Sequence, residues 1–521
     1  MDVKPYQDES MRWIMERESQ GRGGILALEM GLGKTLMMMS TMLSNVMSPS
    51  KGVLGGTLIV VPCNILNQWV TAIEKFVGVA PIVYYGYKSN KYNILDFTGD
   101  NGYMVITTYG TLNKPWKVKN GVVPDRSILT QIKWGRIVCD EAHHMREHKS
   151  GLFKNAMLLK GAIRWMLTGT PINNRVDDLI SLLRMVGVRK ETLVEFQEPS
   201  QRYEIITDNV FYKSKAGVCK LPKKTTETIR VISDNQMEIN LLENTNEIFD
   251  SRRIGQDITI NNVERIIREL FFDKTYFEML VRSRQACTIP KYLTDLINVK
   301  YQGIDYQAMN DIQETHVSQS KIEAIVNKAS SEKINKKIIF CHYRKEIDDI
   351  YDGIRRKNPK ITVQKIDGRN SLKEKHFQLT GGPTKKEWFE IFMSKRFMNK
   401  HDIFIIPDLI RKFLTPDICI LQINSCCEGL NLQQFNQVYF TSPHWNPAVE
   451  DQAIARIHRI GQMRPISVFK FISSSENLNC KYTIDEYCDI IQNVKRKIAY
   501  NHIVHPDMLL AEENATATSL K

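Results

Sequence analysis

The feature that most limits the fold is an alternation that runs through the chain twice. Short apolar runs at 25–28, 57–61, 103–107, 136–139 and 165–167 read as strands, with helical stretches such as 35–46 and 66–76 between them. A second block repeats the pattern, with strand-like runs at 337–341, 362–366, 418–423, 437–440 and 466–471. Strands alternating with helices imply parallel, doubly wound α/β sheets. Between the blocks, from about 230 to 315, the pattern turns helical and charged, and NNVERIIRELFFDKTYFEMLVRSR reads as an amphipathic helix with a basic end. At 521 residues the chain exceeds one ordinary core. The expected division is a first lobe over 1–228, a helical middle over 229–315, a second lobe over 316–508 and a flexible tail over 509–521.

Composition narrows the partners and the compartment. The chain carries 71 basic and 58 acidic residues, a formal net charge of +13. That excess favours an anionic partner, although on charge alone a merely basic globular protein is the simpler reading. The ten cysteines form no CxxC pair and none lies at zinc-ligand spacing from histidine. A disulfide framework and a structural metal site are therefore not expected, and the usage suits a reducing compartment. The opening MDVKPYQDES is too polar for a signal peptide, and no apolar stretch approaches the roughly 20 residues of a membrane span.

The chemistry concentrates at strand ends. Gly31, Leu32, Gly33, Lys34 and Thr35 stand between the strand at 25–28 and the helix that follows. Glycines there let backbone N–H groups turn inward around phosphate oxygens. Lys34 suits the β- and γ-phosphates, Thr35 suits a Mg²⁺ ion, and the helix N-terminus favours anionic charge. The full phosphate-loop pattern asks for glycine at 28, where this chain has Leu28, so a chance glycine-rich turn is the alternative for this segment taken alone. Asp140 and Glu141 close the strand-like run at 136–139, at the end where doubly wound sheets bind ligands. Asp140 would hold Mg²⁺ and Glu141 would orient and deprotonate an attacking water. An acidic helix cap is the alternative, but a cap does not account for a strand-terminal Asp-Glu pair downstream of a Gly-Lys-Thr loop.

Further segments follow in a fixed order. Lys4, Pro5, Tyr6 and Gln7 precede the loop; Gln68-Trp69, Thr107-Thr108-Tyr109 and Thr168-Gly169-Thr170-Pro171 follow it. The second block adds Glu428-Gly429-Leu430-Asn431-Leu432 and Trp445-Asn446-Pro447. It ends in Asp451-Gln452-Ala453-Ile454-Ala455-Arg456-Ile457-His458-Arg459-Ile460-Gly461-Gln462. Arg456 and Arg459 are expected at i and i+3 on one helix face, where planar guanidinium groups can reach a γ-phosphate.

Together these segments resemble the motifs of the superfamily-2 helicase-like ATPases, specifically the SWI/SNF type, over nearly the whole chain. The resemblance implies two RecA-like lobes and an ATP hydrolase with ATP and Mg²⁺ as cofactors. It implies that Gln7 reads the adenine, that Gly429 joins the nucleotide site, and that Arg456 and Arg459 are arginine fingers beside the catalytic Glu141. Gln68, Trp69, Thr107, Thr108, Tyr109, Thr168 and Trp445 are the nucleic-acid contacts it implies; for Trp69 and Trp445 a core role stays open. Leu280-Val281-Arg282-Ser283-Arg284-Gln285-Ala286-Cys287 resembles the branch of DNA-damage-tolerance translocases and lodestar-type terminators. Many members of that branch carry a RING finger between the lobes, but 175–336 holds only Cys219 and Cys287, too few for one. Two departures stand out: Cys426-Cys427 replaces a pair of glycines, and 369–417 reads as an insertion.

The implied function is a DNA-dependent ATPase that translocates on double-stranded DNA and remodels or displaces bound proteins. A strand-separating helicase, an RNA-directed ATPase and a non-catalytic scaffold are the alternatives. A bare, monomeric motor in a nucleus, or in a virus factory or the cytoplasm if viral, completes the expectation.

Overall fold

The computed structural model describes residues 3–47, 55–86, 92, 94–97, 104–113, 127–172, 176–196, 198–218, 221–250, 274–290, 319–331, 335–367, 416–423 and 432–503. The chain divides into two compact units, 1–220 with 496–521, and 221–495.

The first unit is built on a seven-stranded sheet of β1 (Gly24–Leu28), β2 (Gly55–Val61), β3 (Ile82–Tyr84), β4 (Met104–Thr108), β5 (Lys133–Asp140), β6 (Lys160–Leu167) and β7 (Val210–Lys213). The order is β3-β4-β2-β5-β6-β1-β7 and every pairing is parallel. Both faces are covered, as continuous apolar strands require. Ile25, Leu58, Val60, Ile137 and Cys139 pack into one core, while Leu26, Ile59, Val61 and Val138 pack into another on the opposite face. Helices α1 (Pro5–Ser19), α2 (Lys34–Ser44), α3 (Leu66–Val77) and the short α4 (Tyr109–Leu112) lead into or follow these strands.

Helix α1 is fixed at both ends. Pro5 occupies its first turn, where a missing N–H costs nothing. At its far end Glu18 forms a bidentate pair with the fully buried Arg136 of β5, at 2.6 and 2.5 Å, and also accepts from Trp165 Nε1 at 2.8 Å and Asn45 Nδ2 at 2.7 Å. Thr57 Oγ1 and the Asn45 carbonyl accept from two further Arg136 N–H groups. A buried charge pair is tolerable only with its hydrogen bonds satisfied in this way.

The second unit holds a six-stranded parallel sheet of β8 (Lys224–Val231), β9 (Lys337–Cys341), β10 (Val363–Ile366), β11 (Ile418–Gln422), β12 (Gln437–Phe440) and β13 (Ile466–Ser473), in the order β10-β11-β9-β12-β13-β8. Helices α5 (Lys274–Thr288), α6 (Ser320–Ser331), α7 (Arg344–Lys357), α8 (Pro447–Ala455) and α9 (Ile484–Ile503) accompany it. Two α/β sheets were expected, and two are present.

Strand β8 corrects the division at 228. Residues 224–231 pair with β13 along its whole length, so this stretch is the edge of the second sheet. It escaped detection because it is mostly exposed and reads Lys-Thr-Thr-Glu-Thr-Ile-Arg-Val, with no apolar run. The short strands β3 and β7 were missed as well. The middle region also contributes to the second core: Arg284 of α5 donates to the Pro443 carbonyl at 2.8 Å, and Thr288 Oγ1 lies 2.9 Å from Ser442 Oγ. The segment 369–415, which covers nearly all of the expected insertion, and the tail at 509–521 lie outside the described residues.

Candidate nucleotide site

Three adjacent strands, β1, β6 and β5, end side by side, and each delivers one part of the site. After β1 the chain turns through Gly31 and Gly33 at φ +88° and +91°, and α2 begins at Lys34. Those angles favour glycine. A Cβ on Gly33 would also stand 3.1 Å from Gln7 Nε2, so the amide of Gln7 lies directly against the loop. Gln7 Oε1 accepts from the Lys4 backbone N–H at 3.0 Å, which seats it at the start of α1. Tyr6 adds a tie that the sequence did not reveal: its hydroxyl donates to the Leu32 carbonyl at 3.0 Å. The Leu32 side chain is fully buried in the core, so it anchors the loop and offers a ligand its backbone only.

Lys34 is buried, and its ammonium donates to the Leu28 carbonyl at 2.8 Å. A lysine that spends a donor on a main-chain carbonyl can transfer it to a phosphate oxygen. Leu28 itself is a fully buried strand residue, so a core side chain occupies the position of the pattern's first glycine. Thr35 is half-buried in the first turn of α2. Thr168 follows β6, and its N–H donates to the Leu26 carbonyl at 3.2 Å. The next residue, Gly169, is packed so closely on Met30 that a Cβ would meet its Cγ at 2.7 Å.

Asp140 ends β5, 4% exposed. Its Oδ2 accepts from Trp69 Nε1 at 2.7 Å and its Oδ1 from the Glu141 N–H at 2.9 Å. Burial and the neighbouring Glu141 charge push its carboxyl up to about 6, against the opposing effects of Lys34 and of these two donors. Glu141 is the one non-glycine residue at positive φ among the described residues, at +50°. That conformation costs on the order of 1 kcal/mol. Glu141 is buried, its Oε2 has no hydrogen-bond partner among the described residues, and it stands 3.5 Å from His143 Nδ1. A phosphate cradle, a buried ammonium beside a buried carboxylate, and an orphaned carboxylate oxygen fit a nucleotide with its Mg²⁺. Asp140 and Thr35 would hold the ion, which would neutralise phosphate charge.

In the second unit the arginine segment departs from expectation. Helix α8 stops at Ala455, so Arg456 is its C-cap and Arg459 lies beyond it. The two arginines therefore do not share a helix face. Helix closure is local: Arg456 N–H bonds back three residues to Ala453, and Arg459 N–H only two, to Ile457. Gln462 Nε2 donates to the carbonyls of Gln433 and Phe435 at 3.0 Å and of Ile457 at 3.4 Å, pinning the turn before Gly461 at φ +100°. Both arginines are half-buried. Burial and the neighbouring Arg456 charge lower the Arg459 pKa, and no hydrogen bond or ion pair to the described residues engages its guanidinium. Gly429 and the Cys426-Cys427 pair lie outside the described residues.

A family model described as the SNF2-related domain matches residues 6–346, and one described as the helicase conserved C-terminal domain matches 408–461. The chain belongs to the SNF2-related family. An uncharacterised ATP-dependent helicase of Mycoplasma pneumoniae is 25% identical over 517 residues, covering 96% of this chain and 42% of the relative. A probable global transactivator of Orgyia pseudotsugata multicapsid polyhedrosis virus is 24% identical over 503 residues, covering 94% of this chain and 89% of the relative. The DNA repair protein RAD5A of Arabidopsis thaliana is 24% identical, covering 92% of this chain and 58% of the relative. The chain thus spans about two-fifths of the Mycoplasma relative and more than half of the plant one. A solved Sulfolobus solfataricus SWI2/SNF2 ATPase core in complex with double-stranded DNA aligns at TM-score 0.38 and 23% identity, over 91% of this chain and 88% of that one.

Of the seven nucleic-acid contacts expected for this SNF2-related chain, five have buried side chains with internal partners. Trp69 is 1% exposed and is bonded to Asp140, not presented to a ligand. Thr107 is buried and donates to the Tyr84 carbonyl at 2.8 Å; Thr108 is buried and caps α4 by accepting from Thr111 N–H at 3.2 Å. Tyr109 is buried and its hydroxyl donates to the Asp140 carbonyl at 2.7 Å. Thr168 is buried, and its Oγ1 accepts from Thr170 N–H at 3.1 Å. These five side chains serve internal bonds. Gln68 is exposed, and Trp445 is half-buried with the Arg284 guanidinium 5.8 Å from its ring centroid. The sequence did hold one signal for Trp69: an indole N–H inside a fold needs an acceptor.

Proposed function

We propose that the chain is a DNA-dependent ATPase that translocates on double-stranded DNA and displaces or remodels proteins bound to it. The observation that carries this reading is the convergence of the Lys34 loop, after β1, with Asp140 and Glu141, at the end of β5 with one strand, β6, between them, in an SNF2-related chain. ATP sits on the loop, Mg²⁺ on Asp140 and Thr35, and Glu141 takes a proton from the attacking water. Arg456 and Arg459 supply positive charge to the transferring phosphoryl group. We read residues up to about 220 as the ATP-binding lobe, 221–495 as the second lobe, and the protein as a monomer acting where duplex DNA is accessible. The net charge of +13 and the family favour phosphate contacts, hence salt-sensitive binding with little sequence preference.

An ATPase titration with duplex DNA, single-stranded DNA and RNA tests the substrate. Stimulation by duplex is expected to exceed the other two, and preference for RNA would contradict the reading. Displacement of a triplex-forming strand without separation of the duplex is expected of a translocase. Unwinding of a labelled duplex would favour the strand-separating helicase, the activity for which the Mycoplasma relative is named.

A further inference from the structure

Asp140 is gripped by donors from two helices that belong to other strands. Trp69 lies in the first turn of α3, which follows β2, and Tyr109 opens α4, which follows β4. Trp69 Nε1 donates to Asp140 Oδ2 and the Tyr109 hydroxyl to the Asp140 carbonyl, both at 2.7 Å. All three residues are buried. The Tyr109 ring lies 5.2 Å from that of His144, which stacks on His143 at 4.9 Å, and His143 Nδ1 is 3.5 Å from Glu141 Oε2.

We propose that Trp69 and Tyr109 are positioning residues for Asp140, serving the nucleotide site through these bonds. The inference rests on the reading of Asp140 as the cation-holding carboxylate. A carboxylate this buried stays ionised only with donors around it. A bond from N–H to an ionised oxygen is about twice as strong as a neutral one. Indole is a donor only, so it cannot exchange roles with the carboxylate. Trp69 and the Glu141 N–H each occupy one site on a different oxygen, which sets the rotation of the carboxylate and leaves acceptor capacity on both oxygens for a cation. Tyr109 holds the strand end in place and braces, through the two histidines, the turn that carries Glu141.

The test compares Trp69→Phe, Tyr109→Phe and Asp140→Asn in the full chain. Mn²⁺ affinity is read by paramagnetic resonance with ADP present, ADP affinity without metal by a fluorescent analogue, and duplex affinity by anisotropy. Trp69→Phe is expected to weaken Mn²⁺ binding about 10- to 100-fold while metal-free ADP and duplex affinities stay within about twofold. Excess Mg²⁺ should then restore much of kcat, because the defect lies in the apparent KM for metal. Tyr109→Phe, which removes one hydroxyl and keeps the ring, should move the same way by a smaller factor. Unchanged Mn²⁺ affinity in both variants, or loss of duplex affinity with Mn²⁺ affinity intact, overturns the inference. Asp140→Asn separates the two levels. If it binds Mn²⁺ as wild type does, the reading of the site fails; if it loses Mn²⁺ while both Phe variants do not, only the positioning role fails.

Discussion

Asp140 and Arg459 carry opposite charges for the proposed reaction and are held in opposite ways. The carboxylate sits at a strand end, with both oxygens and its carbonyl already bonded. The guanidinium sits past the end of a helix, beside a second arginine, and no bond to the described residues engages it. In the first unit the protein's own donors therefore fix the Asp140 carboxylate. In the second unit Arg459 has no charge partner among the described residues and can accept an anion. The same contrast separates Arg136, fully buried and matched by Glu18, from Arg459, half-buried and unmatched among the described residues.

The sharpest break in this comparison removes charge from the organised side. Lys34→Ala and Glu141→Gln should each lower ATP turnover by about a thousandfold or more, the first by weakening nucleotide binding and the second with binding retained. A coupled-enzyme ATPase assay and nucleotide titration measure both. On the other side, Arg459→Ala should cut turnover by roughly a hundred- to a thousandfold with ATP affinity within a fewfold of wild type. Loss of affinity with an unchanged rate would make Arg459 a binding residue instead.

Stability should divide the two arginines. Arg136→Met leaves Glu18 buried without its cation and should cost about 3–5 kcal/mol, read in a thermal or urea melt. Arg459→Ala should leave the nucleotide-free melt nearly unchanged, or raise it slightly by relieving repulsion with Arg456.

The smallest effect concerns pH. The Asp140 carboxyl is raised from an ordinary 3.8 to about 6, so its contribution to stability is present at low pH and is lost as pH rises through 6. A cation reverses that sign by favouring the ionised form. The rise in Tm on adding Mg²⁺ and ADP should therefore be larger at pH 7.5 than at pH 5.5, and an equal rise at both would remove Asp140 as the cation's ligand.

Much of this was legible in the residues. Continuous apolar runs such as 57–61 and 337–341 marked the central strands, because a strand covered on both faces has no polar side to disguise it. The glycines at 31 and 33 and the strand-terminal Asp140 and Glu141 announced the site, because backbone conformation and charge at a strand end are local properties. Edge strand β8 was not legible, since its backbone pairing with β13 places no apolar demand on its exposed side chains. The end of α8 was not legible either. It depends on Gln462 reaching the carbonyls of Gln433 and Phe435, a contact across the fold. The bonds of Trp69 and Tyr109 to Asp140 were hidden for the same reason, because their acceptor lies on another strand.

The most direct measurement is the steady-state ATP hydrolysis rate of the wild-type chain, with and without saturating duplex DNA, beside Lys34→Ala and Arg459→Ala. The account predicts a wild-type rate that rises at least severalfold with duplex, and variants that stay near background whether or not duplex is present. A wild-type rate indifferent to duplex, or an Arg459→Ala variant stimulated as fully as wild type, would contradict it.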